Sequence, residues 1–213
     1  MVHHLFIFPL LFFFLVSAEA QDERYYRQML SEGLPALKMH RSDFKGAQSV
    51  IRGTQYRFDL NGDREEEVIE PQKRDGVDWI EIRNSSQIKL FEGKLLSIGA
   101  ESHLFKIKLV NLSPEIKALI LFIDEGKTSG KKFESTGRIF IMSYEKNDLS
   151  KMSMVQGPHF FHEKESQREQ YWRRNYNVNI YDIDHDGVRE IAVQYNHIQR
   201  VMKYVGKGEW KRY

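Results

Sequence analysis

The sequence predicts a mainly β chain of antiparallel sheets packed as a sandwich, with a short N-terminal helix. Three observations carry this expectation. Trp79-Ile80-Glu81-Ile82-Arg83 and Phe105-Lys106-Ile107-Lys108-Leu109 alternate apolar and charged residues, the pattern of strands with one dry and one wet face. Residues 118–123 are apolar at every position, as a strand buried on both faces requires. Many short strand-like runs separated by turn signals, without strand–helix–strand alternation, point to antiparallel packing.

In chain order, residues 5–16 are almost uninterrupted hydrocarbon and end in Ser17-Ala18-Glu19-Ala20. This run falls short of the roughly 20 residues of a transmembrane helix, and Ala18-Glu19-Ala20 is the small-x-small pattern that signal peptidase accepts. Residues 1–20 are therefore expected to be a signal peptide cleaved before Gln21, although His3 and His4 stand where Lys or Arg is usual. The mature protein would be exported, periplasmic or extracellular, and left without a transmembrane span. Tyr25, Met29, Leu30, Leu34 and Leu37 recur near helical spacing until Gly33 and Pro35 interrupt them. Residues 21–47 are read as this helical segment, and 48–213 as the β-rich domain.

Strands are expected at 53–60, 67–71, 79–83, 88–97, 105–109, 118–123, 138–144, 178–181, 190–195 and 200–205. Turn signals separate them at Arg74-Asp75-Gly76, Asn84-Ser85-Ser86, Glu125-Gly126 with Ser129-Gly130, and Gly206-Lys207-Gly208. A second short helix is expected within 163–174, where Glu165, Glu169, Arg168 and Arg173 would pair across turns.

Composition narrows the function. The chain has no cysteine, which excludes disulfides, thiolate catalysis, Cys-ligated zinc and a lipidated-cysteine anchor. Loss of residues 1–20 would remove Glu19 and no Lys or Arg, leaving 32 basic and 29 acidic residues, a mild +3. So balanced a chain is not expected to bind nucleic acid, which calls for concentrated positive charge.

Two segments share one pattern, D-x-[DN]-x-D-x-x-x-E. They are Asp59-Leu60-Asn61-Gly62-Asp63-Arg64-Glu65-Glu66-Glu67 and Asp182-Ile183-Asp184-His185-Asp186-Gly187-Val188-Arg189-Glu190. A hard divalent cation takes six to eight oxygens at about 2.3–2.6 Å, and side chains at alternate loop positions can converge on one point. In the second segment Asp182, Asp184 and Asp186, the Val188 carbonyl and Glu190 form such a set, and calcium is the expected cofactor. An EF-hand would place a bidentate Glu at its twelfth position between helices. Val193 stands there in the second segment, and Glu70 followed by Pro71 in the first.

A loop whose last ligand is its ninth residue, leading straight into an apolar strand, resembles the FG-GAP and VCBS repeats of integrin-type β-propellers and related secreted proteins. The resemblance is local, covering the two loops and their flanks. It implies calcium at Asp182, Asp184, Asp186 and Glu190, and at Asp59, Asn61, Asp63 and Glu67, with Glu65 at the place of Val188. Arg64 replaces the loop glycine of the first copy, and the copies lie too far apart for adjacent blades of about 40–50 residues, so the resemblance implies incomplete propeller-like sheets as the alternative to an antiparallel β-sandwich.

Other motifs are weaker. Gly126-Lys127-Thr128 lacks the leading glycine of a phosphate-binding loop and reads as a charged hairpin turn. His159 and His162 have a spacing that would ligate zinc on a helix, but Gly157-Pro158 favours a strand or loop with the rings on opposite faces. Tyr171, Trp172, Tyr176, Tyr181 and Tyr195 with Arg173 and Arg174 read as core with an amphipathic rim ahead of a recognition surface. The expectation is an exported calcium-binding module without a catalytic site, binding a protein or carbohydrate or serving in the cell envelope. The alternative is an exported hydrolase with structural calcium.

Overall fold

A computed structural model describes residues 55–95, 101–129, 132–165 and 171–213. The expected signal peptide and N-terminal helix lie outside the described residues. Apart from Tyr213, the described residues belong to one compact unit, His40–Arg212.

All pairings are antiparallel, and the strands follow one another in three sheets whose spatial order is the chain order. The first holds β1 (Tyr56–Phe58), β2 (Glu67–Arg74), β3 (Val77–Arg83) and β4 (Lys89–Leu95). The second holds β5 (Glu101–Asn111), β6 (Ile116–Ser129), β7 (Lys132–Glu145), β8 (Ser153–Glu165) and β9 (Tyr171–Asn175). The third holds β10 (Asn177–Tyr181), β11 (Glu190–Tyr195), β12 (Ile198–Gly206) and β13 (Glu209–Arg212).

The period of two along β6 and β7 stacks these sheets. Leu119, Leu121, Ile123, Phe140 and Met142 share a core with Tyr56, Phe58, Ile69, Ile80 and Ile82 of the first sheet. The alternate residues Ala118, Ile120, Phe122, Ile139 and Ile141 share a second core with Ile191, Val193, Met202 and Tyr204 of the third. The middle sheet is thus covered on both faces, which is why 118–123 carries no polar residue. Full burial of each Leu or Ile stabilises by about 1.5–3 kcal/mol.

Local chemistry sets the hairpins. Asp75 and Gly76, both at positive φ (51° and 75°), make the tight β2–β3 turn, and Lys207 and Gly208 (53° and 80°) make the β12–β13 turn. β2 runs on to Arg74, beyond the expected end at Pro71. Proline is tolerated because β1 pairs only with Glu67 to Ile69, so Pro71 needs to donate no bond on that side.

Three expectations are corrected. No helix forms from the described part of 163–174, because Glu163 lies in β8 opposite Arg173 in β9, so the two are cross-strand neighbours and not neighbours on a helix. Gly126, Lys127 and Thr128 lie within β6, paired with Ser135, Glu134 and Phe133, so they are ladder positions and not the turn. Tyr171 and Trp172 are 58% and 40% exposed on β9, which stands at the edge of its sheet among the described residues.

Because β6 faces two separate cores, Leu121→Ala and Ile120→Ala should each cost about 2–5 kcal/mol, read from urea denaturation midpoints. A large loss for only one of them would show that one face of the middle sheet is not packed.

Candidate metal centre

The two acidic segments occupy the same place in two sheets. Each joins the first strand of a sheet to the second, with Phe58 opposite Glu67 in one and Tyr181 opposite Glu190 in the other. Each closing glutamate turns back under its loop. Glu67 Oε2 accepts the Leu60 N–H at 2.7 Å, and Glu190 Oε2 accepts the Ile183 N–H at 2.7 Å. Both are buried, with 2% and 0% exposure.

The rest of the loop repeats as well. Asp59 Oδ2 accepts the Arg64 N–H and Asp182 Oδ2 the Gly187 N–H, both at 3.1 Å. Asp63 Oδ1 accepts from Glu65 N at 2.7 Å, and Asp186 Oδ1 from Val188 N at 2.8 Å. The backbone turns left-handed at the same two positions, Gly62 and Arg64 in the first loop (86° and 74°), His185 and Gly187 in the second (60° and 86°). Arg64 thus takes the conformation its glycine counterpart takes freely, at a cost of about 1–2 kcal/mol.

The loops part at their third position. Asn61 donates from Nδ2 to Asp63 Oδ2 at 2.7 Å and accepts the Asp63 N–H at 2.9 Å. Asp59 Oδ1 is also taken, by the Gly62 N–H at 2.7 Å. The first loop therefore satisfies its acceptors from its own donors. Asp184 stands in place of Asn61 and has no N–H to give. In the second loop Asp182 Oδ1 and Glu190 Oε1 are buried and accept no hydrogen bond.

Asp182, Asp184 and Glu190 each bring a carboxylate oxygen within 4.8 Å of the others. Burial pushes the Glu190 carboxyl up to about 7, and Asp184 and Asp186 add to the rise against the Ile183 N–H and Lys203. Glu67 is raised as well, by burial first and then by Asp63 and Asp59, while the Leu60 N–H lowers it. A buried acceptor without a donor costs on the order of 1–3 kcal/mol, more when charged, unless a cation takes the donor's place. The second cluster can hold a metal ion, and its all-oxygen donor set fits a hard one.

Lys203 is the group sequence reasoning missed. It lies on β12, and the Ile191↔Met202 register places it one step on, level with Glu190. Its Nζ pairs with Asp184 and, at 3.0 Å, with Asp186. Its only sequence signal is its membership of the expected strand 200–205.

The histidines are placed elsewhere. Arg138 Nη2 donates to His159 Nε2 at 2.7 Å, so the ring is neutral there. His162 meets Glu134 at 3.2 Å and stacks edge-on against Trp172 at 4.9 Å. The expected opposite faces are corrected by a bulge at Phe160. His159 pairs with Arg138 and His162 with Thr136, residues two apart on β7 and hence on one face. In the aromatic and basic region, Arg174 lies between Trp172 (4.8 Å) and Tyr195 (5.0 Å), and Arg173 lies over Phe161 (5.2 Å).

No family model, curated protein or solved structure matches this chain.

Burial, together with Arg138, Arg200, His162 and Arg212, holds His159 at about 4, below its ordinary 6.5. The unfolded chain then binds the proton first, so this contribution is complete above about pH 6.5 and is lost as the pH falls toward 4. His159→Gln should lose less stability than the wild type between those pH values, by urea midpoints. Identical pH profiles would contradict a neutral, half-buried His159.

Proposed function

We propose that this chain is an exported calcium-binding β module without a catalytic centre, which binds a protein or glycan or serves as an envelope component. The observation that carries the calcium reading is the pair of buried, unpartnered carboxylate oxygens on Asp182 and Glu190 beside Asp184. Calcium fits this loop better than softer metals because its donors are carboxylates and a carbonyl, and its one histidine, His185, is exposed. Magnesium keeps several waters in a strict octahedron and gains less from converging side chains. The ligand set is Asp182, Asp184, Asp186, the Val188 carbonyl and Glu190. Asp59, Asn61, Asp63, Glu65 and Glu67 form a weaker counterpart, since Asp59 and Asp63 already accept bonds from within the loop.

The likeness to FG-GAP and VCBS repeats belongs to this reading. It is supported by loops at the same hairpin of two four-stranded sheets, with the five-stranded sheet between them accounting for their wide spacing. The hydrolase alternative would rest on His159 and His162, whose partners Arg138, Glu134 and Trp172 are those of packed side chains.

With a dissociation constant on the order of 0.1 mM, as in extracellular modules, 2 mM calcium would contribute about 1.8 kcal/mol per site. That is a melting-temperature rise of roughly 4–7 °C. Asp182→Ala should remove most of it and Asp63→Ala little, by calorimetric titration and thermal melts. Superimposable wild-type melts in calcium and chelator, with no binding heat at millimolar calcium, would sink the reading.

Export rests on residues 5–20, and among the described residues no helix is long and apolar enough to cross a membrane. Intact-mass measurement of the exported fraction should find Gln21 at the N-terminus. A species retaining residues 5–16 would instead indicate an anchored protein.

A further inference from the structure

Lys203 stands in the place where a site built only to bind calcium would have no cation of its own. Its Nζ bridges Asp184 and Asp186, two of the three aspartates that alternate along the loop, and its side chain is only 19% exposed. The first loop differs. There Lys117 donates to the Leu60 carbonyl at 2.9 Å, beside the Tyr144 hydroxyl at 2.8 Å, and so reaches the loop backbone and not its carboxylates.

We propose that Lys203 is the specificity-determining residue of the second loop, an internal cation that occupies part of the site until a divalent ion displaces it. This rests on the calcium reading above. A monovalent ion offers the carboxylates the same single charge as the ammonium and must also lose its water, so it gains nothing by exchange. A divalent ion doubles the charge at the point where Asp182, Asp184 and Glu190 converge, and attraction between charges at hydrogen-bonding distance is strong where water is largely excluded. Lys203 thereby rejects sodium and potassium and holds calcium affinity down to a range in which the loop responds to external calcium.

The displaced ammonium has somewhere to go. A cavity of about 470 Å³ adjoins the loop, and Lys203 and Asp186 line it together with Glu115 and Glu145. Glu145 is held there by the Tyr204 hydroxyl at 2.6 Å and the Lys207 N–H at 3.1 Å. Its carboxyl sits below the usual range, first because of the Tyr204 hydrogen bond, so it is a charged acceptor within the same cavity. A lysine side chain has the reach and rotational freedom for such a move.

The test compares wild-type protein, Lys203→Met and Lys203→Arg by calorimetric titration with calcium chloride and by melting in chelator with and without added sodium chloride. Lys203→Met should bind calcium at least tenfold more tightly, melt lower than the wild type in chelator, and regain stability with sodium chloride more than the wild type does. Lys203→Arg should stay close to the wild type. Calcium binding by Lys203→Met alone overturns it, because calcium then never displaces the wild-type lysine, and the calcium reading of the native chain falls with it. Equal or weaker binding by Lys203→Met overturns it and leaves the calcium reading standing, whereas no binding by any of the three proteins ends both. If Lys203→Met does not fold, side-chain nitrogen NMR of the wild type decides. The Lys203 ammonium signal should move on calcium saturation, and an unmoved signal overturns the proposal.

Discussion

The described structure depends on one constraint: the strands β6 and β7 must be kept dry on both faces. Leu119, Leu121 and Ile123 point one way, Ala118, Ile120 and Phe122 the other, and the run 118–123 contains no polar side chain to turn toward water. A single partner sheet would leave half of this surface wet. Two partner sheets, one before and one after in the chain, cover both halves. The middle sheet has little freedom to slip, because a shift by one residue would exchange every contact between the two cores at once.

The outer sheets carry the chemistry because their loops lie where the layers meet. Leu60, at the start of the first acidic loop, is held through its carbonyl by Lys117 and Tyr144 of the middle sheet. Arg189, at the end of the second, donates its N–H to the Leu112 carbonyl, in the turn that joins β5 to β6 of the middle sheet. In both loops a buried glutamate accepts an N–H from the loop's second residue, so the last acidic group of the pattern is first of all a structural strut. A cation-binding role draws on the oxygen that the strut leaves over. Glu190 has such an oxygen, buried and without a hydrogen-bond partner.

One substitution separates the loops. An asparagine at the third position brings a donor, and Asn61 spends it on Asp63. An aspartate there brings another acceptor, and the deficit in the second loop is met in part by Lys203. The exchange of left-handed positions is reciprocal: the first loop has Gly62 then Arg64, the second His185 then Gly187, so each loop holds one strained residue at a different point. This shared conformation, kept despite different side chains, goes with the hairpin and glutamate strut that both loops have in common, while the third residue sets how far each loop satisfies its own acceptors.

The sequence by itself determined ten of the thirteen strands, the two loops and the double-faced middle strand, but not β8, β9 or β13; alternation, turn residues and alternate-position acids are local signals that survive any arrangement of the layers. It misread 163–174 as helix because Glu and Arg pairs serve equally well across helical turns and across paired strands. It put His159 and His162 on opposite faces because a bulge is a property of two strands, and only one is visible in a sequence. Tertiary structure alone decided which acceptors are buried, which are already satisfied and which cation faces them. Lys203 and Glu190 come level through the pairing of β11 with β12, and the difference between a self-satisfied turn and a cluster that can hold a metal ion lies in donors that only folding brings within reach.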